Sequence, residues 1–196
     1  MVARRLLFRE RDTLDFIPLI CSGWAACSVT LFDGRRQILG FLLPGDIAPT
    51  ATLFDNIARF SIEAVTEVSY RTIVRTEFKA VLMRNADLFE AFSRLWAEEK
   101  GRADQLAVDL GRRSADERIA RLILGLAEQM KQRGLANGDS FEFPLRQHHI
   151  ADATGLTAVH VSKVLTEFRR GGYIDINERA LTVRNAAGFR AIANMR

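Results

Sequence analysis

The chain has 196 residues, 48% of them hydrophobic and 27% charged, the balance of a soluble globular protein with one or two domains. No apolar run approaches the roughly 18 residues of a membrane span, and the opening MVARRLLFRERD has no apolar segment before a cleavage site. Two cysteines, Cys21 and Cys27, exclude a disulfide framework, and a cytoplasmic location is expected.

The net charge of +4 is unevenly placed. Residues 146–196 hold eight Lys or Arg against four Asp or Glu, while residues 1–145 hold twenty of each sign. His148, His149 and His160, the only histidines, lie in the same C-terminal part. A basic module joined to a neutral one suits a domain that binds a polyanion; a basic tail that serves only solubility is the plainer alternative.

Residues 12–80 read as β structure, with short apolar runs punctuated by Ser22-Gly23, Asp33-Gly34, Pro44-Gly45-Asp46 and Asp55-Asn56. Asp33-Gly34 between SVTLF and RRQILGFLL predicts a hairpin. Residues 61–68 alternate as a half-buried strand would. Regularly spaced short strands suggest a sandwich or barrel. Helical periodicity begins at residue 77 and runs to 133. Leu88, Phe92, Leu95 and Trp96 form a stripe that Ala103, Leu106 and Leu110 continue after an interruption at 98–101. A twin helix from a second copy is the economical partner for this stripe; packing within the monomer is the alternative. Residues 111–113 break the run and read as a hinge. Ser114 and Glu117 then form a capping box, and Ile119, Leu122, Ile123, Leu126 and Met130 make the buried face of the next helix.

After a loop at 134–139 and a short strand near Phe141, residues 147–168 read as two short helices joined at a glycine. Ile150, Ala151 and Ala153 make the apolar side of the first, and Gly155 ends it in the left-handed region. Thr157 caps the second, in which Val161, Val164, Leu165 and Phe168 fall at i, i+3, i+4 and i+7. This is the pattern of a helix-turn-helix, whose second helix enters the DNA major groove, although an αα-hairpin in a core shares it. Residues 173–176 and 180–183 read as a hairpin, the wing of a winged helix, with Arg179 and Arg184 on a basic edge. Ala186 to Met195 closes the chain as a helix.

These residues resemble the Crp/Fnr family of bacterial transcription regulators. Four stretches carry the resemblance: Gly34 to Asp46, Leu110 to Ile119, Phe143 to Lys163, and Gly172 to Val183. The resemblance implies an α+β fold: an N-terminal antiparallel β-roll, jelly-roll-like, over residues 1–84, a long dimerisation helix over 85–111, and a C-terminal winged helix-turn-helix over 112–196. It implies a homodimer that binds a palindromic promoter site on double-stranded DNA, with RNA polymerase as a further partner and no membrane. Relatives carry more residues before Arg11, so the first strand is expected to be missing or replaced. Dimerisation is expected through Leu88, Phe92, Leu95, Ala103, Leu106 and Leu110. His160, Ser162 and Lys163 are expected to face bases, Val159 a thymine methyl, and Arg146, Gln147 and Thr157 the phosphates. Thr166 and Arg179 complete the expected DNA-binding set.

The sequence departs from the family's pattern where signals are read. Cyclic-nucleotide-binding members carry Gly-Glu where Pro49 and Thr50 stand, and Arg59 is off the register of the arginine that pairs with the cyclic phosphate. Two cysteines are too few for an iron–sulfur cluster of its own, and residues 1–145 offer no histidine to a haem. No cofactor is expected, and the effector is left open; Phe41, Leu43, Leu53, Phe54 and Phe60 are read as filling the pocket. Cys21 and Cys27 lie six apart, so one strand would point both the same way, which leaves a redox-sensing regulator as an alternative. Where relatives carry Glu and Arg on the recognition helix, this chain has Val159 and Lys163, and a degenerate member that acts through protein partners is a further alternative. No P-loop, CxxC, HExxH or serine nucleophile elbow is present, and an enzyme is not expected.

Overall fold

A computed structural model of the chain describes residues 6–47 and 53–195. The expectation placed on Pro49 and Thr50 lies outside the described residues. The chain divides into two units, Met1–Leu106 and Ala107–Arg196.

The first unit is built from β1 (Leu6–Phe8), β2 (Phe16–Ser22), β3 (Ala25–Thr30), β4 (Arg36–Leu42), β5 (Ser61–Ala64) and β6 (Ser69–Val74), all antiparallel. They form one sheet ordered β1-β5-β3-β4 and a two-stranded sheet β2-β6. A short strand therefore does precede Arg11, paired with β5. The Asp33-Gly34 turn joins β3 and β4 as expected, closed by Gly34 N–H donating to Leu31 O at 2.9 Å. The alternation over 61–68 is shorter in the fold than in the sequence. β5 ends at Ala64 because Val65 and Thr66 turn to donate their N–H groups to Trp24 O, while Thr66 Oγ1 accepts from Trp24 N–H. Gly23 is required at that crossing: a Cβ there would sit 1.9 Å from Glu67 O.

Inward-facing residues of these strands, among them Ile17, Ile20, Ala25, Cys27, Ile62 and Ala64, build one apolar core. Helices α1 (Arg75–Arg84) and α2 (Ala86–Arg112) contribute Leu82 and Phe92 to it. The two helices are separate because Asn85 is extended (φ −127°) and its Oδ1 accepts from Leu88 N–H, an N-terminal cap for α2.

The second unit holds the end of α2, then α3 (Ala115–Gln132), β7 (Ala136–Asn137), β8 (Ser140–Glu142), α4 (Gln147–Thr154), α5 (Ala158–Arg170), β9 (Ile174–Asn177), β10 (Ala180–Val183) and α6 (Ala186–Ile192). Its strands form one antiparallel sheet, ordered β7-β8-β10-β9. Ile119, Ile123, Leu126 and Met130 are buried on α3, and Leu122 is half-buried. The capping box at its start is present: Ser114 Oγ accepts from Glu117 N–H at 3.3 Å, and Glu117 Oε2 accepts from Ser114 N–H at 2.7 Å. The Ser114 N–H bond, then side-chain bonds from Asn194 and Ser114, hold the Glu117 carboxyl below the usual carboxylate range. A depressed carboxyl stabilises the fold above its ordinary value of about 4.3, and that contribution is lost as pH falls through the lower folded value. Ser114→Ala is expected to cost about 1 kcal/mol in urea unfolding at pH 7. The pH dependence between about 5 and 3 should shrink in Glu117→Gln; an unchanged profile would remove Glu117 from the cap.

Candidate nucleic-acid interface

The site is built by α4, α5 and the β9–β10 hairpin. Gly155 ends α4 with φ +67°, its N–H donating to Ala151 O, and so turns the chain into the next helix. Thr157 then caps α5, its Oγ1 accepting from His160 N–H at 3.2 Å. At the start of α4 the cap is unusual. His149 Nδ1 accepts from Arg146 N–H at 3.1 Å, and the His148 and His149 rings lie 4.0 Å apart.

Four buried residues, Val161, Val164, Leu165 and Phe168, fix which side of α5 faces inward. With about 3.6 residues per turn, the side opposite them is the row Val159, Lys163, Thr166 and Arg170. Val159 is 81% exposed and Lys163 is exposed. Thr166 is half-buried and donates its hydroxyl back to Ser162 O at 2.8 Å. His160 and Ser162, expected to face bases beside Lys163, are two residues apart and so lie about 200° apart around the helix. They occupy opposite flanks: His160 is exposed, while Ser162 is half-buried.

The Ser162 flank opens on a groove of about 510 Å³. Arg146, Gln147, His148, Ser162 and Arg169 line it above an apolar floor that includes Ile150 and Leu165, and no carboxylate is among its lining residues. The structure thus brings Arg146 and Gln147 together with Ser162, and adds Arg169. On the wing, Glu178 takes a left-handed conformation (φ +53°) that leaves Arg179 at the turn, with Arg179 O accepting from Phe143 N–H at 2.6 Å. Arg184, read with Arg179 as a basic edge, is paired with Asp175 at 3.2 Å. Among the described residues, Arg146, Arg169, Arg170 and Arg179 have no ion-pair partner. Arg169 and Arg170 do not stand out in the sequence, because two cations in the last turn of a helix are ordinary partners for its dipole. The 3.6-residue period would have placed Arg170 on the Lys163 row.

The expected dimerisation residues separate into two groups. Phe92 is buried in the core of its own unit, edge-on to Phe78 at 5.8 Å, and Leu88 packs against that core. Leu95 and Leu106 are half-buried and Ala103 is exposed. Leu110 packs at the α4 turn, its Cδ2 3.2 Å from where a Gly155 Cβ would stand. Trp96, part of the expected stripe but not of the dimerisation set, and Phe89, outside both, are about half exposed, and Phe89, Trp96, Ala103 and Leu110 are spaced by seven. A stripe read from spacing does not say which surface it meets.

The sensing residues are also rearranged. Arg59 is held by Asp55, with Nη2 3.0 Å from Oδ2. Backbone donation from Ile57, then the Arg59 side chain, hold the Asp55 carboxyl below its usual range. The five residues read as filling one pocket do not gather in one place. Leu53 and Phe60 lie in the core, Phe41 packs on Trp24, Leu43 is buried outside that cluster, and Phe54 is half exposed against Trp96 at 5.7 Å. Cys21 and Cys27 lie on different strands, β2 and β3, since Ser22-Gly23 turns the chain between them. Cys21 is exposed, whereas burial, with Glu99 and Asp46 nearby, pushes the Cys27 thiol far up. The shared-strand geometry behind the redox alternative is absent. No helix among the described residues is long and apolar enough to cross a membrane.

Two family models match the chain: a cyclic nucleotide-binding domain over residues 2–85 and a Crp-like helix-turn-helix domain over residues 117–192. The nitrogen fixation regulation protein FixK of Bradyrhizobium diazoefficiens is 32% identical over 190 residues, covering 95% of this chain and 78% of that protein. The transcriptional activatory protein AadR of Rhodopseudomonas palustris is 29% identical over 191 residues, covering 97% and 78%. Among solved structures, FixK2 from Bradyrhizobium japonicum superposes with a TM-score of 0.85 at 24% identity, covering 97% of this chain and 93% of that one. A CRP-family transcriptional regulator from Thermus thermophilus superposes with a TM-score of 0.77 at 23% identity, covering 99% and 95%.

Proposed function

The chain belongs to the Crp/Fnr family of transcription regulators, and on that premise we propose that it binds a palindromic promoter site as a homodimer. Its relatives are regulators, not enzymes. The observation that carries the reading is the outward face of α5. A row in which Val159, Lys163 and Arg170 are exposed stands opposite a fully apolar face, beside unpaired arginines at α4, at the end of α5 and on the wing. That arrangement fits a recognition helix in the major groove with phosphate contacts on both sides.

Lys163 donates to a guanine edge as a point charge, and Val159 meets a thymine methyl. Arg146, Gln147, Arg169, Arg170 and Arg179 meet phosphates, with Thr157 at the start of α5. His160, on the far flank, and Thr166 touch only the groove's walls. Phe89, Trp96 and Ala103 form the dimer seam with Leu95 and Leu106, while Phe92 and Leu110 serve the monomer. Two recognition helices about 34 Å apart then reach successive major grooves. Arg59, tied to Asp55, is not offered to a cyclic phosphate, which supports binding without a cyclic nucleotide. Contact with RNA polymerase is the expected route from DNA binding to transcription.

A second reading, action through protein partners, is favoured by one observation: Val159 puts an exposed apolar side chain where many relatives carry a base-reading Glu.

The test is selection of bound duplexes from a random pool without added ligand, followed by anisotropy titration. A two-fold palindrome should emerge. Lys163→Ala should lower its affinity by about 1–3 kcal/mol and relax preference at one position in each half-site. Failure of any sequence to enrich would move the protein-partner reading ahead.

A further inference from the structure

Within the second unit, the last turn of α2 is fastened to α3 by a half-buried charge cluster that nothing in the DNA-facing surface requires. Asp109 is its centre. Its Oδ1 lies 2.8 Å from Arg113 Nε and 2.9 Å from Arg121 Nε, and the side chains of Asp109, Arg113 and Arg121 are 17%, 17% and 13% exposed. Arg113 lies in the link between α2 and α3, and its Nη1 is 4.0 Å from Glu117 Oε1 in the capping box. From α3, Arg118 Nε donates to Arg113 O at 2.9 Å while its Nη1 donates to Thr154 O, at the end of α4, at 3.2 Å. Leu110 meets the Gly155 turn one residue further on. Three elements therefore converge on the segment 109–113: the end of the long helix, the start of α3 and the turn of the helix-turn-helix. The break at 111–113, which reads as a hinge in the sequence, is spanned by ion pairs and backbone bonds.

We propose that Asp109 is a positioning residue for DNA recognition, locking the end of α2 to the helix-turn-helix so that residues 107–113 and the recognition helix move as one body. This rests on the homodimeric DNA-binding reading above. A carboxylate shared by two poorly solvated guanidiniums is hard to replace, since removing its charge leaves two like charges facing each other. With the lock intact, the recognition helix keeps a set distance from the end of α2 in each protomer. Without it, each reading head is free to pivot, and the benefit of binding both half-sites at once depends much less on their spacing.

The test uses the full chain and the palindrome selected by the wild-type protein. Anisotropy is measured on that duplex, on versions with the half-sites moved by one or two base pairs either way, and on a single half-site. Asp109→Asn is expected to weaken the best-spaced palindrome about tenfold, to leave the half-site within about twofold, and to level the preference among spacings. Asp109→Glu is expected to restore the preference. Equal loss on half-site and palindrome would mark Asp109 as merely structural and overturn the proposal, as would a wild-type spacing preference in the Asn variant. If the wild-type protein itself shows no preference for two half-sites over one, the homodimer reading fails first and the proposal falls with it.

Discussion

The affinity of the dimer for its selected palindrome is expected to fall by about 10³- to 10⁵-fold between 50 and 200 mM salt, the loss that accompanies roughly 6–10 phosphate contacts. The count comes from named side chains. Arg146, Arg169, Arg170 and Arg179 are unpaired in each protomer among the described residues, and two-fold symmetry doubles them. Arg184 is left out because Asp175 already neutralises it. Each phosphate neutralised releases counterion from the duplex, so the logarithm of affinity falls linearly with that of salt, with a slope of about −0.9 per contact. Titrations at four salt concentrations give the slope directly. Arg169→Ala should make it shallower by about one contact per protomer while leaving base preference unchanged. A slope near zero in the wild-type protein would contradict the interface drawn around α5.

The largest expected effect on folding is that of Phe189→Ala, about 3–5 kcal/mol. α6 is too short to persist alone, and Asn185 Oδ1, accepting from Gly188 N–H at 2.9 Å, caps only its first turn. Its attachment is the Phe189 ring. That ring is fully buried, edge-on to Phe168 of α5 at 5.0 Å and stacked on Tyr173 at 6.2 Å. Truncation removes the contacts that join the closing helix to the last turn of the recognition helix and to the approach of the wing. Urea unfolding monitored by circular dichroism should show the loss, with Phe189→Leu costing much less. DNA binding should disappear in parallel with the folded fraction. An Ala variant as stable as the wild type would mean that α6 is dispensable.

Much of this is legible in the sequence where a local rule and a tertiary requirement agree. The capping box at Ser114 and Glu117, the Gly155 turn and the Thr157 cap are short-range hydrogen-bond arrangements, and their residue types are nearly diagnostic. The same holds for the Asp33-Gly34 hairpin and the wing. Legibility fails where periodicity is asked which surface it faces. Phe92 and Trp96 belong to one stripe, yet one enters the monomer core and the other stays half exposed. Alternation over 61–68 continues past the point where Trp24 draws the chain into a turn, a contact across more than forty residues that no local pattern records. The Ser22-Gly23 turn signal is itself readable, and it is enough to place the two cysteines on separate strands. Asn85 is likewise a readable cap, hidden by the helical stripe on both sides of it.

The attachment of α2's last turn to α3 and to the α4 turn also bears on how the molecule can be dissected. A fragment begun at Ser114, where the sequence breaks, would lack Asp109 and Leu110; Arg121 would then lose its carboxylate, and the Gly155 turn a packed neighbour. The same cut falls immediately after Arg113, whose carbonyl receives Arg118. A piece begun at Leu106 would carry these groups with it. The natural seam for taking the DNA-reading part on its own thus runs inside a helix, several residues before that helix ends.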